Sequence, residues 1–286
     1  MDASLALQII LNGLMLSSIY ILVALGLTLV FGVMHILNFA HGELYMLGSF
    51  AVFYLYGGAG MNYFLALIIA MVAVGLAAIV LERIFFRPVR DKLMPSVMVA
   101  IGLSITIQEL SRIGFGAGDR FMPSVFHGSV QLLGTTLTME RLAVIVAGAI
   151  LLVGLYLFVT RTKAGKAMRA VEQDSVAAAL QGISLNKTSA LCMFIGGALA
   201  AVAGGLLGPV FYVHPYMGTP MILKAFIIII LGGIGSMPGA VLGGLALGFT
   251  ESISTVYLGA KASLLIGFAI LIAILLFRPR GLLGYE

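Results

Sequence analysis

The chain has 286 residues, of which 61% are hydrophobic and only 9% charged, with a mean hydropathy of +1.15 and a formal net charge of +5. Soluble domains carry about 25% charged residues, so this composition excludes a water-soluble enzyme or nucleic-acid binder and leaves an integral membrane protein. The basic excess lies between apolar runs, where it sets orientation, and the single Cys192 excludes an intrachain disulfide or a cysteine metal cluster.

The apolar runs, in chain order, are Leu7–Val33, Phe39–Tyr56, Tyr63–Leu81, Ser96–Arg112, Leu142–Thr160, Thr188–Leu207, Pro220–Ile234, Ala240–Tyr257 and Ala262–Phe277. A spanning helix needs about 20 apolar residues to cross a ~30 Å core. Continuous runs of this kind oppose a barrel, whose strands are short and alternating. The expected fold is a single all-α, polytopic membrane domain over residues 1–286, with eight or nine crossings and broken or re-entrant segments. Met1–Asp2 offers no basic n-region and no A-x-A site follows a short apolar core, so the first run is expected to stay as a helix.

Between the first two runs, Gly32 to Gly48 reads GVMHILNFAHGELYMLG. Ionisable groups at membrane depth cost about 2.5–3.5 kcal/mol each on insertion scales, so they are kept where they face packed protein or a watered cavity. Gly42 and Gly48 permit bends and close approach, and bent backbone at that depth is tolerated only against protein or water. Asn38, His41, Gly42 and Glu43 are therefore candidates for a translocation pathway. The alternatives are a His–Glu staple between helices or a loop at the inner surface. A metal site would need ligands from distant helices, and none is expected.

The loop Glu82–Pro95 carries Arg83, Arg87, Arg90 and Lys92. The loop Arg161–Lys187 carries Arg161, Lys163, Lys166, Arg169 and Lys187, and the tail carries Arg278 and Arg280. These regions hold eleven of the 16 basic residues, which places them in the cytoplasm. The loops around Ile113–Glu140 and Gly208–Gly218 then face outward, with the amino terminus external and the carboxyl terminus internal. Phe86-Arg87-Pro88-Val89-Arg90 and Phe277-Arg278-Pro279-Arg280 each follow a three-span block with a Gly-rich break, at His35–Gly48 and Gly232–Gly244. The echo fits either an internal repeat of the transporter kind or a common way of stopping a helix at an interface.

Within the second basic loop, Gly165 to Leu185 reads GKAMRAVEQDSVAAALQGISL. Asp174 or Ser175 can cap a short helix and Gly182 suits its C-terminal stop. That predicts two turns over Val176–Gln181, preceded by a basic turn with Lys166 and Arg169. So short a helix is marginal in water alone and needs a surface, either a cytoplasmic ATPase or anionic lipid.

Of the remaining intramembrane charges, Glu109 and Lys224 lie near outer boundaries, where Lys224 can snorkel. Glu251 lies deeper and joins the pathway candidates; a Lys224–Glu251 pair is open. No G-x-x-x-x-G-K-[ST] loop and no H-E-x-x-H occurs. Gly233-Ile234-Gly235-Ser236 has the look of an intramembrane serine site but lacks an evident histidine partner, so an enzyme is not expected.

At these motifs the chain resembles a known family. GLTLVFGVMHILNFAHGELYMLGSF (Gly26 to Phe50), GKAMRAVEQDSVAAALQGI, LGGIGSMPGAVLGG (Leu231 to Gly244) and the FRPRGLLG ending are similar to the signatures of LivH-type permeases. These are membrane subunits of ABC importers for branched-chain amino acids, and the likeness spans the chain in order. The resemblance implies a bacterial inner-membrane permease that pairs with a LivM-type permease. It further implies two cytoplasmic ATPases and a periplasmic or extracellular binding protein, with no cofactor of its own. It assigns ATPase coupling to Gly165, Arg169, Ala170, Asp174, Ala178 and Gly182, and translocation to Asn38, His41, Gly42 and Glu43. The same permease class also serves other amino acids, amides and urea. A stand-alone channel or secondary carrier is the rival from another class.

Overall fold

The computed structural model describes residues 3–90, 92–126, 128–132, 135–278 and 281–283. Among them, each of the nine predicted runs lies on a helical segment. These are α1 (Ala3–Met34), α2 (His41–Val52) continued by a π-helical turn Phe53–Gly58, α3 (Tyr63–Leu81) and α4 (Leu93–Phe115). Next come a hairpin of β1 (Ser129–Leu132) and β2 (Thr135–Thr138), then α5 (Met139–Arg161), and in the second basic loop α6 (Lys163–Gln173) and α7 (Ser175–Leu180). The chain closes with α8 (Leu185–Leu207), α9 (Gly218–Gly232), α10 (Met237–Leu258) and α11 (Ala260–Phe277). Six of these segments, those built on α1, α3, α4, α5, α8 and α10, are long and apolar enough to cross a membrane, whereas α9 is shorter.

Local chemistry sets the helix starts. Asn62 Oδ1 accepts from the Phe64 and Leu65 amides to cap α3. Ser236 Oγ accepts from Gly239 N, 3.1 Å away, to cap α10. These bonds satisfy donors that the first helical turn leaves over.

The core is built on α1, which is buried all round from Ile19 to Val30. A helix apolar on every side belongs inside a bundle. It packs against α10 and α8, and α8 in turn holds α2 and α3. Small residues set these spacings, as in lipid generally, where backbone approach replaces the hydrophobic drive. A Cβ on Gly26 would stand 2.9 Å from the Gly196 carbonyl oxygen, and one on Gly196 equally near that of Gly26. Gly48 abuts the Ala201 backbone, and Gly204 abuts the Tyr45 carbonyl. By contrast α3, α4 and α5 turn Ile68, Leu76, Met98, Ile105, Ile113 and Ile150 outward, an apolar surface fit for hydrocarbon or a partner.

The loops meet in two groups. Arg120 and Val213 exchange two backbone bonds of 2.9 Å, joining loop 113–140 to loop 208–218. Phe121 and Tyr212 meet edge to face across the same junction. On the other side Arg90 Nη1 donates to Ser189 Oγ at 3.5 Å. Leu282 N and Leu283 N donate to the Leu231 and Gly232 carbonyls, closing the end of α9 with the tail. In the predicted Arg-Pro echo, Pro279 and Arg280 lie outside the described residues.

Two features depart from the sequence reading. The loop 113–140 contains the antiparallel β1–β2 hairpin, Ser129 opposite Thr138, tied to α1 by Thr135 Oγ1 donating to the Ser4 carbonyl at 2.8 Å. The basic turn expected before Val176 is a helix, α6. Thr162 Oγ1 accepts from Gly165 N at 3.0 Å, and that cap starts a helix ahead of the Gly165–Leu185 motif.

Candidate functional site

The break after α1 is a true reversal. His35 adopts φ +54, a left-handed conformation that histidine reaches more readily than most side chains, and turns the chain back on α1. His41, the first residue of α2, then places Nε2 3.2 Å from the carbonyl oxygen of Val23. Val23 lies about 16 Å up α1 from Met34 at 1.5 Å per residue. Residues 35–40 therefore run non-helically back into the bundle, and α2 starts at depth. Gly26 and Gly196 make room for the imidazole: a Cβ on Gly26 would stand 3.0 Å from Nε2.

The start of α9 meets the start of α2. Gly42 abuts the Gly218 carbonyl, and a Cβ on Gly218 would stand 2.8 Å from Glu43 Oε2. At fifteen residues, α9 extends about 22 Å, less than a bilayer core. Helix N-termini carry partial positive charge, so a carboxylate in the first turn of α2, beside the first residue of α9, sits in a favourable field. From α4, Ser104 Oγ donates to Glu43 Oε1 at 3.0 Å, and Gln108 Nε2 donates to Thr219 Oγ1 at 2.9 Å.

This region holds polar atoms at almost no exposure. Asn38, His41, Glu43 and Ser49 are each at most 1% exposed. Among the described residues, Asn38 Nδ2 reaches only the Met193 sulfur, at 3.9 Å. Among the described residues, Asn38 Oδ1, His41 Nδ1, Glu43 Oε2 and Ser49 Oγ have no protein partner. A buried polar atom left so costs about 1–3 kcal/mol, which makes a run of four a feature that demands a role.

Glu251 belongs to a second group. Lys224 Nζ of α9 lies 2.7 Å from Glu251 Oε1 of α10 and donates to Tyr20 Oη of α1 at 2.6 Å. Tyr20 Oη donates to Glu251 Oε2 at 2.7 Å, and the ammonium stands 4.7 Å from the Tyr20 ring centroid. The two charged side chains keep 17% and 21% exposure. Lys224 thus does not snorkel to an outer boundary: α9 begins deep, so its seventh residue is deep as well. The open pair is a made pair, with a tyrosine the sequence does not single out. Glu109 pairs with Arg112 at 2.6 Å in an exposed position.

The insert between α5 and α8 has its own construction. Gly165 fits α6 tightly under the carbonyls of Val159 and Phe158, and Ala170 packs against the core. Arg169 Nη2 reaches the Thr160 carbonyl at 3.4 Å. Asp174 Oδ1 accepts from the Val176 and Ala177 amides, both at 2.9 Å, and caps α7. Gly182, φ +82, donates to Ala179 O while Ile183 donates to Ala178 O, the two-bond Schellman ending that favours glycine. Ala178 faces inward at 4% exposure, whereas Val176 and Leu180 stand 69% and 83% exposed. Those two apolar side chains, absent from the sequence-level candidates, form the outward face of α7. Once Asp174 and Gly182 bracket the helix, the face opposite Ala178 is the signal that locates them.

A protein-family model described as "Branched-chain amino acid transport system / permease component" matches residues 9–275. The chain is 37% identical to the "High-affinity branched-chain amino acid transport system permease protein LivH" of Escherichia coli (strain K12), over 97% of this chain and 95% of that protein. It is 36% identical to the permease protein BraD of Pseudomonas aeruginosa over the same shares. The likeness to the permease protein LivM of Escherichia coli (strain K12) is 25% over 94% of this chain and 68% of that protein. In fold it is similar to "PsaBC from Streptococcus pneumoniae in complex with Fab", with a TM-score of 0.51 at 13% identity, covering 95% of this chain and 92% of that one. With its re-entrant α2, deep α9 and helical insert, this multi-pass membrane protein belongs to the family of branched-chain amino acid transport system permease components.

Proposed function

We propose that the chain is one permease subunit of an ABC importer that carries branched-chain amino acids across the bacterial inner membrane. The observation that carries this reading is the 37% identity over nearly the whole length to permeases bearing that name. The capped α7, with apolar side chains turned outward, supports docking of a separate ATPase. The lack of a P-loop in the sequence accords with ATP hydrolysis on other subunits. A LivM-type permease as the second membrane subunit, two ATPases and an external binding protein complete the assembly, with the amino terminus outside and the carboxyl terminus in the cytoplasm.

In this assembly Asn38, His41, Gly42 and Glu43 form the polar step of the translocation pathway. The unpartnered buried atoms at Asn38, His41 and Glu43 support it, because a zwitterion crossing an apolar bundle needs a few fixed hydrogen-bonding groups. Glu251 contributes through its group with Lys224. Gly165, Arg169, Ala170, Asp174, Ala178 and Gly182 build and anchor the coupling insert.

Proteoliposomes carrying all subunits should take up leucine only with ATP and the binding protein, and the isolated chain should take up none. Uptake by the chain alone would make it a channel or carrier. Competition by urea or an amide at leucine-like concentrations would move the assignment to those substrates. Glu43→Gln keeps the side-chain shape and its Ser104 contact, and is expected to lower uptake about tenfold, or ~1.4 kcal/mol, in fully assembled complexes. Lost assembly with normal uptake per surviving complex would instead make Glu43 a staple between α2, α4 and α9.

A further inference from the structure

Glu172 stands in the last turn of α6, two residues before the Asp174 cap of α7; the residue as a whole is exposed, but its carboxylate end reaches the last turn of α1. A Cβ on Gly32 of α1 would stand 2.7 Å from Glu172 Oε1 and 3.0 Å from its Cδ. A Cβ on Gly235, in the turn between α9 and α10, would stand 3.5 Å from the same oxygen. The carboxylate therefore lies flat on the last turn of α1 and against the α9–α10 turn, in a slot that the missing side chain of Gly32 leaves. Burial pushes the carboxyl pKa up from its ordinary value, against the pull of Arg169, as expected for a group partly withdrawn from water.

The surroundings give this contact leverage. α6 packs on α5, α1 and α8, and α7 hangs from it through Asp174. Glu172 itself lines an open cleft of about 960 Å3 between α6 and the foot of α10, together with Tyr156, Arg169, Gly235, Met237 and Pro238 among others. The α9–α10 turn connects the helices that carry Lys224 and Glu251.

We propose that Glu172 is a positioning residue for transport, a strut that passes displacement of α6 and α7 to the end of α1 and to the α9–α10 turn. The role rests on the importer reading above. It differs from docking itself, since Glu172 lies on α6 with its carboxylate against α1, whereas Val176 and Leu180 form the outward face of α7.

The test uses the complete complex in proteoliposomes with binding protein and leucine. In Glu172→Ala, the ATPase subunits should still co-purify and hydrolyse ATP, while leucine carried per ATP falls about tenfold, within the range of substitutions along a coupling route. Glu172→Asp, one carbon too short to fill the slot, should show the same fall. Gly32→Ala combined with Glu172→Asp moves that carbon to the α1 side, and should restore coupling to within about threefold of wild type. Unchanged coupling in Glu172→Ala, or a double variant no better than Glu172→Asp alone, overturns the strut. A wild-type complex with no ATP-dependent leucine uptake overturns the importer reading, and the strut with it.

Discussion

Leu180→Asp is expected to weaken binding of the ATPase subunit by about 30-fold or more, the loss typical of a side chain worth at least 2 kcal/mol at an interface centre. Leu180 is 83% exposed in the chain itself, so the substitution leaves the fold of the permease intact. A carboxylate there would have to be desolvated on docking with no cation provided for it. Co-purification of the ATPase with the permease at graded concentrations measures the effect. Unchanged association, together with weaker partitioning of the insert onto anionic vesicles, would instead make α7 a lipid-surface helix.

The second large effect lies in the bundle. Lys224→Met removes the ammonium that faces Glu251 and accompanies the Tyr20 hydroxyl. Removing one partner of a buried pair costs about 3–5 kcal/mol, because the carboxylate loses the ammonium while still partly withdrawn from water. The residual exposure of 17% and 21% puts the expected cost near the lower end. Lys224→Met combined with Glu251→Gln should recover much of the loss, since the pair vanishes with both its attraction and its desolvation. Thermal unfolding of the purified chain in detergent reads both variants. A single variant as stable as wild type would mean that solvent or lipid headgroups serve the carboxylate equally well.

The fold was legible where one physical rule dominated. Each of the nine apolar runs coincides with a helix because backbone groups in hydrocarbon have no other partner. Asp174 and Gly182 disclosed α7 because a cap and a left-handed stop are local chemistry. α6 read only as a basic turn because its cap, Thr162, lies ahead of the Gly165–Leu185 motif. At the candidate site, the oddity of Asn38, His41 and Glu43 was visible as cost. Their neighbours Ser104 and Gly218 were not, because hydrophobic patterning does not fix which helices touch. Lys224 was misplaced for a related reason: its depth depends on where α9 begins, and that is decided by the contact of Gly218 with Gly42, far away in sequence.

The crossing of α1 and α8 at Gly26 and Gly196 also has a bearing on biogenesis. The enclosed helix α1 is synthesised before α8, whose backbone meets it at Gly196, 170 residues after Gly26. At roughly 5–20 residues per second, α1 and the polar hairpin beside it wait roughly 10–30 s for α8. During that interval His41 cannot yet be enclosed by Gly196. The nascent chain must be sheltered by the insertion machinery or by its own early helices, and the central seam closes late.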